Sequence, residues 1–396
     1  MDFQAKAAVV FIVVLALLLY LKRDKLQKQN LVSSVVYILM YRTKVGIKLM
    51  DRVAKRFPRL LHYTGIGGII AGFIGMVVIC GFLIKGTYDI FFAPAVMPSV
   101  AIVQPFAKDV PGTFYVPFFY LIISIFLLVI VHEASHGIMA RLYNLKLKSS
   151  GLAFLGILIP IIPAAFVEPD EKKMSKRPRK QQLSILAAGP FSNIIFAGII
   201  LALVGLAVSP AVDSIVDYDG VLVTDIMDSD KELAAEKAGM QAGEVIRSAG
   251  GVNVTTVDNL TEVINRKSPG ETIDISTNAS SYELTLSENP ENNSEPYMGL
   301  YLKQHTVINK GFSDSYGRMT SSAIMWVVGL LVWLYALNLG IGLFNLLPLP
   351  ITDGGRMLLL GLERFFTEEK SFRIWKFFAL LFIFLIIINL GAGFIR

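Results

Sequence analysis

The sequence predicts a polytopic α-helical membrane protein of about six transmembrane helices plus a re-entrant loop, with a small α+β domain inserted before the fifth helix. Three observations predict it. Of the 396 residues, 54% are hydrophobic and only 17% charged, far too apolar for a soluble domain of this length. Long apolar runs recur between short basic blocks, the pattern that the positive-inside rule gives to cytoplasmic loops. Between 209 and 315 the character changes: polar and acidic residues become common, and "VLVTDI", "ETIDIST" and "SYELTLS" alternate as strands do. The net charge of +6 is accounted for by the basic blocks beside the apolar runs, so no nucleic-acid partner is implied. A single cysteine, Cys80, allows neither an intrachain disulfide nor a cysteine metal cluster.

The first apolar run, 7–21, precedes "KRDK" and lacks a small-residue cleavage pattern, so it is expected to be an anchor helix. It is short for the roughly 30 Å of hydrocarbon unless Phe3 and its neighbours join it. Residues 22–62 are polar and strongly basic, which predicts a cytoplasmic segment and an outer amino terminus. The second span, 65–84, carries Gly65, Gly67, Gly68, Gly72, Gly75 and Gly81, which let a neighbouring helix approach closely. The proline-rich loop 85–113 is expected on the outer face, and the third span, 114–138, ends in the basic "RLYNLKLK". Residues 151–167 are apolar but broken by Pro160 and Pro163, which predicts the re-entrant loop, its backbone satisfied by protein or trapped water. A charged cytoplasmic segment then leads to the fourth span, 183–208. After the α+β domain come the fifth span, 321–347, and the sixth, 372–394, flanking a cytoplasmic segment with "ERFFTEEKSFRIWK". The expected divisions are 1–113, 114–208, 209–315 and 316–396.

Residues 131–136, "VHEASH", lie at the end of the third apolar run, where a polar group is costly. Four residues apart on a helix, His132 and His136 share one face, about 6 Å apart along the axis, and Glu133 sits beside them. H-E-x-x-H is the zinc-hydrolase arrangement: two imidazoles hold the metal and the glutamate is the general base. Two unrelated histidines at a helix terminus are the plainer explanation. Against it, the chain has only four histidines and spends two of them at a depth where polar groups are avoided unless they function. A catalytic zinc needs a third protein ligand. His62 and His305 fall in the basic segment and the α+β domain, which leaves a carboxylate. Asp353, in "NLLPLPITDGGR" at the cytoplasmic end of the fifth span, is expected at a similar depth to His132. On spacing alone it serves equally as an Asp-Gly turn residue.

Three separated motifs, H-E-x-x-H (His132 to His136), G-P-x-x-N (Gly189, Pro190, Asn193) and N-x-x-P-x-P-x-x-D-G (Asn345, Pro348, Pro350, Asp353, Gly354), resemble those of the site-2 proteases, intramembrane zinc metalloproteases. The resemblance spans roughly 114–360. It implies that His132, His136 and Asp353 bind one Zn²⁺, that Glu133 is the general base, and that Asn193 and Asn345 hold the substrate backbone or the oxyanion. Interhelical hydrogen bonding is the alternative for both asparagines. Segment 151–163 matches the position of the family's membrane-embedded hairpin, which pairs with the unwound substrate. Thr352 stands where many relatives carry leucine. The implied substrates are single-span transmembrane proteins cut in regulated intramembrane proteolysis, in a multi-pass cell-membrane enzyme whose site opens toward the cytoplasm.

Residues 234–277 resemble a PDZ domain of the protease-associated kind: a short helix ending at "AGMQAG", a strand in "EVIRSAG", a turn at Gly250 and Gly251, a helix in "TVDNLTEVINR" and a strand in "PGETIDIS". Such domains add a peptide carboxyl terminus to a sheet edge. Here the edge is expected at Gly220 to Thr224, and a lid that excludes bulky substrates is the alternative. Four sequons, from Asn253, Asn259, Asn278 and Asn292, agree with an extracytoplasmic domain. The basic stretch 38–59 is suited to anionic membrane lipid or to a solvated flank. A metal transporter or membrane scaffold using the same His/Asp cluster is the alternative function, although transport asks for polar residues at several depths.

Overall fold

The computed structural model describes residues 3–32, 36–92, 98–108, 110–157, 159–227, 232–289 and 292–395. It divides into two units, Met1–Val204 with Val328–Arg396, and Gly205–Val327. Among the described residues, 6 helices are long and apolar enough to cross a membrane. They are α1 (Phe3–Leu21), α3 (Pro58–Phe92), α4 (Phe118–Leu142), α5 (Arg179–Leu203, its apolar run continuing to Asp213), α7 (Arg318–Phe344) and α9 (Glu368–Ile395). At most 28% of any apolar window is buried, so most of this greasy surface faces outward, as lipid-facing helices require.

Helix α3 begins with Pro58, whose missing N–H falls where a helix has no partner for one. Its buried Gly65, Gly68, Gly72 and Gly75 share one helix face and form a bare stripe. Ser184 and Phe191 of α5 lie against the first two, and Met357 and Leu346 against the last two. A Cβ at Gly72 would come within 2.7 Å of Met357 Cε. The stripe therefore brings α3 close to the elements that flank both the G-P-x-x-N and the D-G motifs.

Segment 151–167, which its prolines predict as a re-entrant loop and the family resemblance as a hairpin over 151–163, is an antiparallel hairpin of β3 (Leu147–Ile157) and β4 (Ile159–Pro169), with Leu152 opposite Ala165 and Phe154 opposite Pro163. Pro163 is tolerated because β4 is an edge strand, with β3 its single neighbour in the sheet. The basic segment 22–62, which showed no strand pattern, supplies β1 (Gln27–Val32) and β2 (Val36–Thr43), and β2 pairs with β3 along eight positions, from Val36 with Ile157 to Thr43 with Ser150. At the polar end of this sheet Arg42 pairs with Glu168, and Ser149 Oγ donates to the same carboxylate at 2.7 Å. The same segment forms the amphipathic helix α2 (Ile47–Arg56), which buries Met50 and Ala54. Met50 packs against Gly137 of α4, and Asp51 pairs with Arg141 one turn further on.

The second unit is a small α+β module. Its sheet contains β5 (Val216–Ile226), β6 (Val245–Ala249), β7 (Thr272–Thr277), β8 (Ser281–Thr285) and β9 (Leu300–Ile308) in the order β8-β7-β6-β5-β9. Helix α6 (Val257–Asn265) packs Leu260 and Ile264 into a core with Val221, Val223, Ile246, Ile275 and Leu284. Thr256 caps α6 by accepting from Asn259 N–H at 3.2 Å. Gly250 and Gly251 turn the chain with φ of +57° and +77°, a region that suits glycine. The expected peptide-binding edge at Gly220 to Thr224 requires correction: it is interior. Val221 pairs with Ile246 on one side and Gln304 on the other, and Leu222 with Val245 and Lys303. Strand β9 comes after the rest of the sheet in the chain, too distant for local pattern to reveal that it fills this edge.

Candidate metal centre

Both histidines of the motif stand on α4, and the chain's return through α8 (Asp353–Leu362) supplies the carboxylate. His132 Nε2 and His136 Nε2 lie 3.2 and 3.3 Å from the same oxygen, Asp353 Oδ2. The ligand atoms of His132, His136 and Asp353 all fall within 4.8 Å of one another. Two imidazole nitrogens and one carboxylate oxygen converging this way fit a catalytic zinc with a position left open. His62 and His305 are outside the cluster; His305 lies 3.8 Å from Asp219 in the α+β module.

Each imidazole is held from behind. His136 Nδ1 is 2.7 Å from the Ile185 carbonyl oxygen of α5, and His132 Nδ1 is 3.2 Å from the amide nitrogen of Asn193, further along the same helix. Pro190, inside α5, removes one backbone donor. Beside it, Gly189 leaves its helix face bare where the rings approach: a Cβ there would lie 2.5 Å from His132 Nε2 and nearer still to His136 Nε2. Asn193 is fully buried, 0% exposed, behind His132.

Asp353 is delivered by a compact turn. Gly354 N–H donates to the Asn345 carbonyl at 2.8 Å, which folds the end of α7 back onto the start of α8. Gly354 and Gly355 press against the carbonyls of Leu346 and Leu349, leaving no room for side chains. Thr352 is the N-cap of α8: its Oγ1 accepts from Gly355 N–H at 3.2 Å and donates to the Leu347 carbonyl at 2.6 Å. Asn345, just past the end of α7, is half-buried, and its amide nitrogen donates to Ile341 O in the last turn of that helix at 3.1 Å.

Glu133 lies on the same cavity wall as His136 and Asp353, in a space of about 250 Å³ that Val167, Glu171 and Arg356 also line. Its Oε2 accepts from the Val167 backbone N–H of β4 at 3.0 Å. A water molecule in this cavity would have a carboxylate and the His/Asp cluster as neighbours, an arrangement suited to metal-assisted hydrolysis. The sequence signalled Glu133, both histidines and the Gly189 motif. It gave no sign of the Ile185 carbonyl or the Val167 N–H, since any residue type supplies a backbone group.

Residues 120–389, more than half of the chain, match the model of peptidase family M50. An uncharacterized protein of Methanocaldococcus jannaschii is 25% identical over 88% of this chain and 84% of its own length. The zinc metalloprotease RasP of Oceanobacillus iheyensis is 23% identical over 50% of this chain, and the regulator of sigma-W protease RasP of Bacillus subtilis 22% over 50%. The chain spans only about half of these two relatives, 54% of each. The PDZ domain of an SdrC-like protein from Listeria monocytogenes matches 22% of this chain and 88% of its own, at 21% identity and a TM-score of 0.19. The match to the family model covers the helices that carry all three motifs, and the chain belongs to peptidase family M50, the site-2 type of zinc metalloprotease.

Proposed function

We propose that the protein cleaves single-span transmembrane segments within the membrane, with His132, His136 and Asp353 as zinc ligands and Glu133 as general base. The observation that carries this reading is the approach of both imidazoles to one Asp353 oxygen, within 3.3 Å, on helices apolar enough to span a bilayer. Bound zinc supplies Lewis-acid polarisation of the scissile carbonyl and makes water available as a nucleophile near neutral pH. Glu133 takes the proton of the attacking water and returns it to the leaving amine. The Ile185 carbonyl fixes the His136 ring while this happens.

The substrate helix has to unwind, because an intact helix keeps its carbonyls in i to i−4 hydrogen bonds. The outer edge of β4 offers backbone partners to the freed strand, and Val167 of β4 already donates its N–H to Glu133. Asn345, half-buried beside the Asp353 turn, would hold the substrate backbone on giving up its bond to the Ile341 carbonyl. The basic blocks at 22–62, 141–148 and 172–180 support a site opening toward the cytoplasm and an outer α+β module. Strand Gly220 to Thr224, already paired on both sides, offers an added peptide no vacant edge.

The test is cleavage of a model single-span substrate by purified protein in detergent with zinc, comparing wild type, Glu133→Gln and Asp353→Ala. Loss of cleavage in both, with zinc lost only in Asp353→Ala, is expected. Unchanged processing in both variants refutes the assignment.

A further inference from the structure

We propose that Asn193 is a positioning residue for the His132 imidazole and does not contact substrate; this rests on the reading of His132 as a zinc ligand. Two observations point there. Asn193 is 0% exposed, so no peptide reaches its side chain without parting α5 from α4 or from α7, whose Gly342 lies against the Asn193 Cβ. Its amide lies 3.2 Å from His132 Nδ1, the ring nitrogen opposite the one that faces Asp353.

The chemistry follows from the two nitrogens of one ring. Nε2 points into the His/Asp cluster, and a nitrogen that ligates a cation offers its lone pair and carries no proton. The proton of the neutral ring then sits on Nδ1 and needs an acceptor. His136 has one, the Ile185 carbonyl at 2.7 Å. Among the described residues, His132 Nδ1 has only the Asn193 carboxamide beside it. In the structure the amide nitrogen faces the ring, and Oδ1 is buried without a hydrogen-bond partner. The two ends of a carboxamide have nearly the same shape, so rotating it by half a turn keeps the packing and places Oδ1 on Nδ1–H. An asparagine at this position thus accommodates both tautomers: NH₂ toward the ring when Nε2–H bonds Asp353, and oxygen toward the ring when Nε2 binds zinc. Partners behind the ligating ring raise its basicity and fix its orientation, and their removal typically costs about 10–100-fold in metal affinity.

The experiment uses the purified full-length protein, with zinc affinity measured by chelator competition and KM and kcat for a model single-span substrate at saturating zinc. Asn193→Ala removes the acceptor, and Asn193→Asp keeps an oxygen in the same place. Expected are zinc binding weaker by about 10–100-fold in Asn193→Ala, recovery to within a few-fold of wild type in Asn193→Asp, and unchanged KM in both. A raised KM with unaltered zinc affinity in Asn193→Ala overturns the proposal in favour of a substrate contact. Equal weakening in both variants overturns it in favour of packing alone. His136→Ala is the control: if it binds zinc as well as wild type, the zinc assignment itself fails, and the inference with it.

Discussion

Glu133 Oε2 accepts the backbone N–H of Val167 at 3.0 Å, so the carboxylate beside the histidines is tied to the outer edge of the β3–β4 hairpin. That tie decides which substitution separates chemistry from architecture. Glutamine has the same shape and a carbonyl oxygen that still accepts from Val167, but no basicity. Glu133→Gln is expected to keep the hairpin and zinc content while lowering kcat by about 10²–10⁴-fold, the usual worth of a general base. Glu133→Ala should in addition raise hydrogen exchange at Val167. Retained hydrolysis in Glu133→Gln would remove Glu133 from the reaction.

Gly189 faces both imidazoles, and an added Cβ would sit 2.5 Å from His132 Nε2 and closer to His136 Nε2. Neither ring can retreat freely, because each is held at Nδ1. Gly189→Ala is therefore expected to displace the rings by several tenths of an ångström or more, and to lower activity by roughly 10²-fold, as small misplacements at a reacting centre do. Zinc content falls with it. Gly198 lies on the same helix, and a Cβ added there would meet nothing within 4 Å, so Gly198→Ala is the control that should leave both unchanged. Equal behaviour of the two alanine variants would rule out the steric account.

In the α+β module, Val223 N–H donates to the Glu244 carbonyl at 2.8 Å and Leu222 pairs with Lys303 on the other side. A peptide with a free carboxyl terminus has no vacant ladder to join at this strand. Hydrogen exchange at 220–224 is expected to be slow and to stay the same when such a peptide is added. Peptide-dependent slowing there would mean that β9 yields its place, and would restore peptide capture as the role of this edge.

How much was legible in the sequence depended on range. His132, Glu133 and His136 were readable because their geometry is set by one helical turn. The apolar runs were readable because each is self-contained in lipid. Asp353 was undecided between turn and ligand on spacing alone, since it meets the histidines only through tertiary packing, and the family resemblance made the choice. Strands β1 and β2 are not legible because Lys28, Arg42 and their neighbours read as a basic flank, and β3, the strand that joins the β1–β2 pair to the hairpin through β2, lies beyond two intervening membrane helices. The Gly220 to Thr224 edge was misassigned for the same reason: a strand's own residues do not say which distant strand will cover it.

Thr352 directly precedes Asp353, and its hydroxyl ties the turn before α8 to that helix. With 3% exposure it caps α8 at Gly355 N–H and donates to the Leu347 carbonyl, so one oxygen ties the 347–352 turn to the helix that begins with Asp353. Thr352→Val keeps the shape and deletes the hydroxyl, leaving the Gly355 N–H uncapped and the Leu347 carbonyl with the Leu349 N–H as its remaining donor. The expected cost is about 1–3 kcal/mol, with a lower melting temperature and, because Asp353 is the next residue, several-fold weaker zinc binding. Thr352→Ser restores the hydroxyl and should recover both. Thr352→Leu deletes the same hydroxyl, and among the described residues no other side chain caps Gly355 N–H, so leucine should behave like valine. Zinc affinity unchanged in Thr352→Val, with only the melting temperature lowered, would confine the residue to holding the turn and exclude any influence on the Asp353 carboxylate.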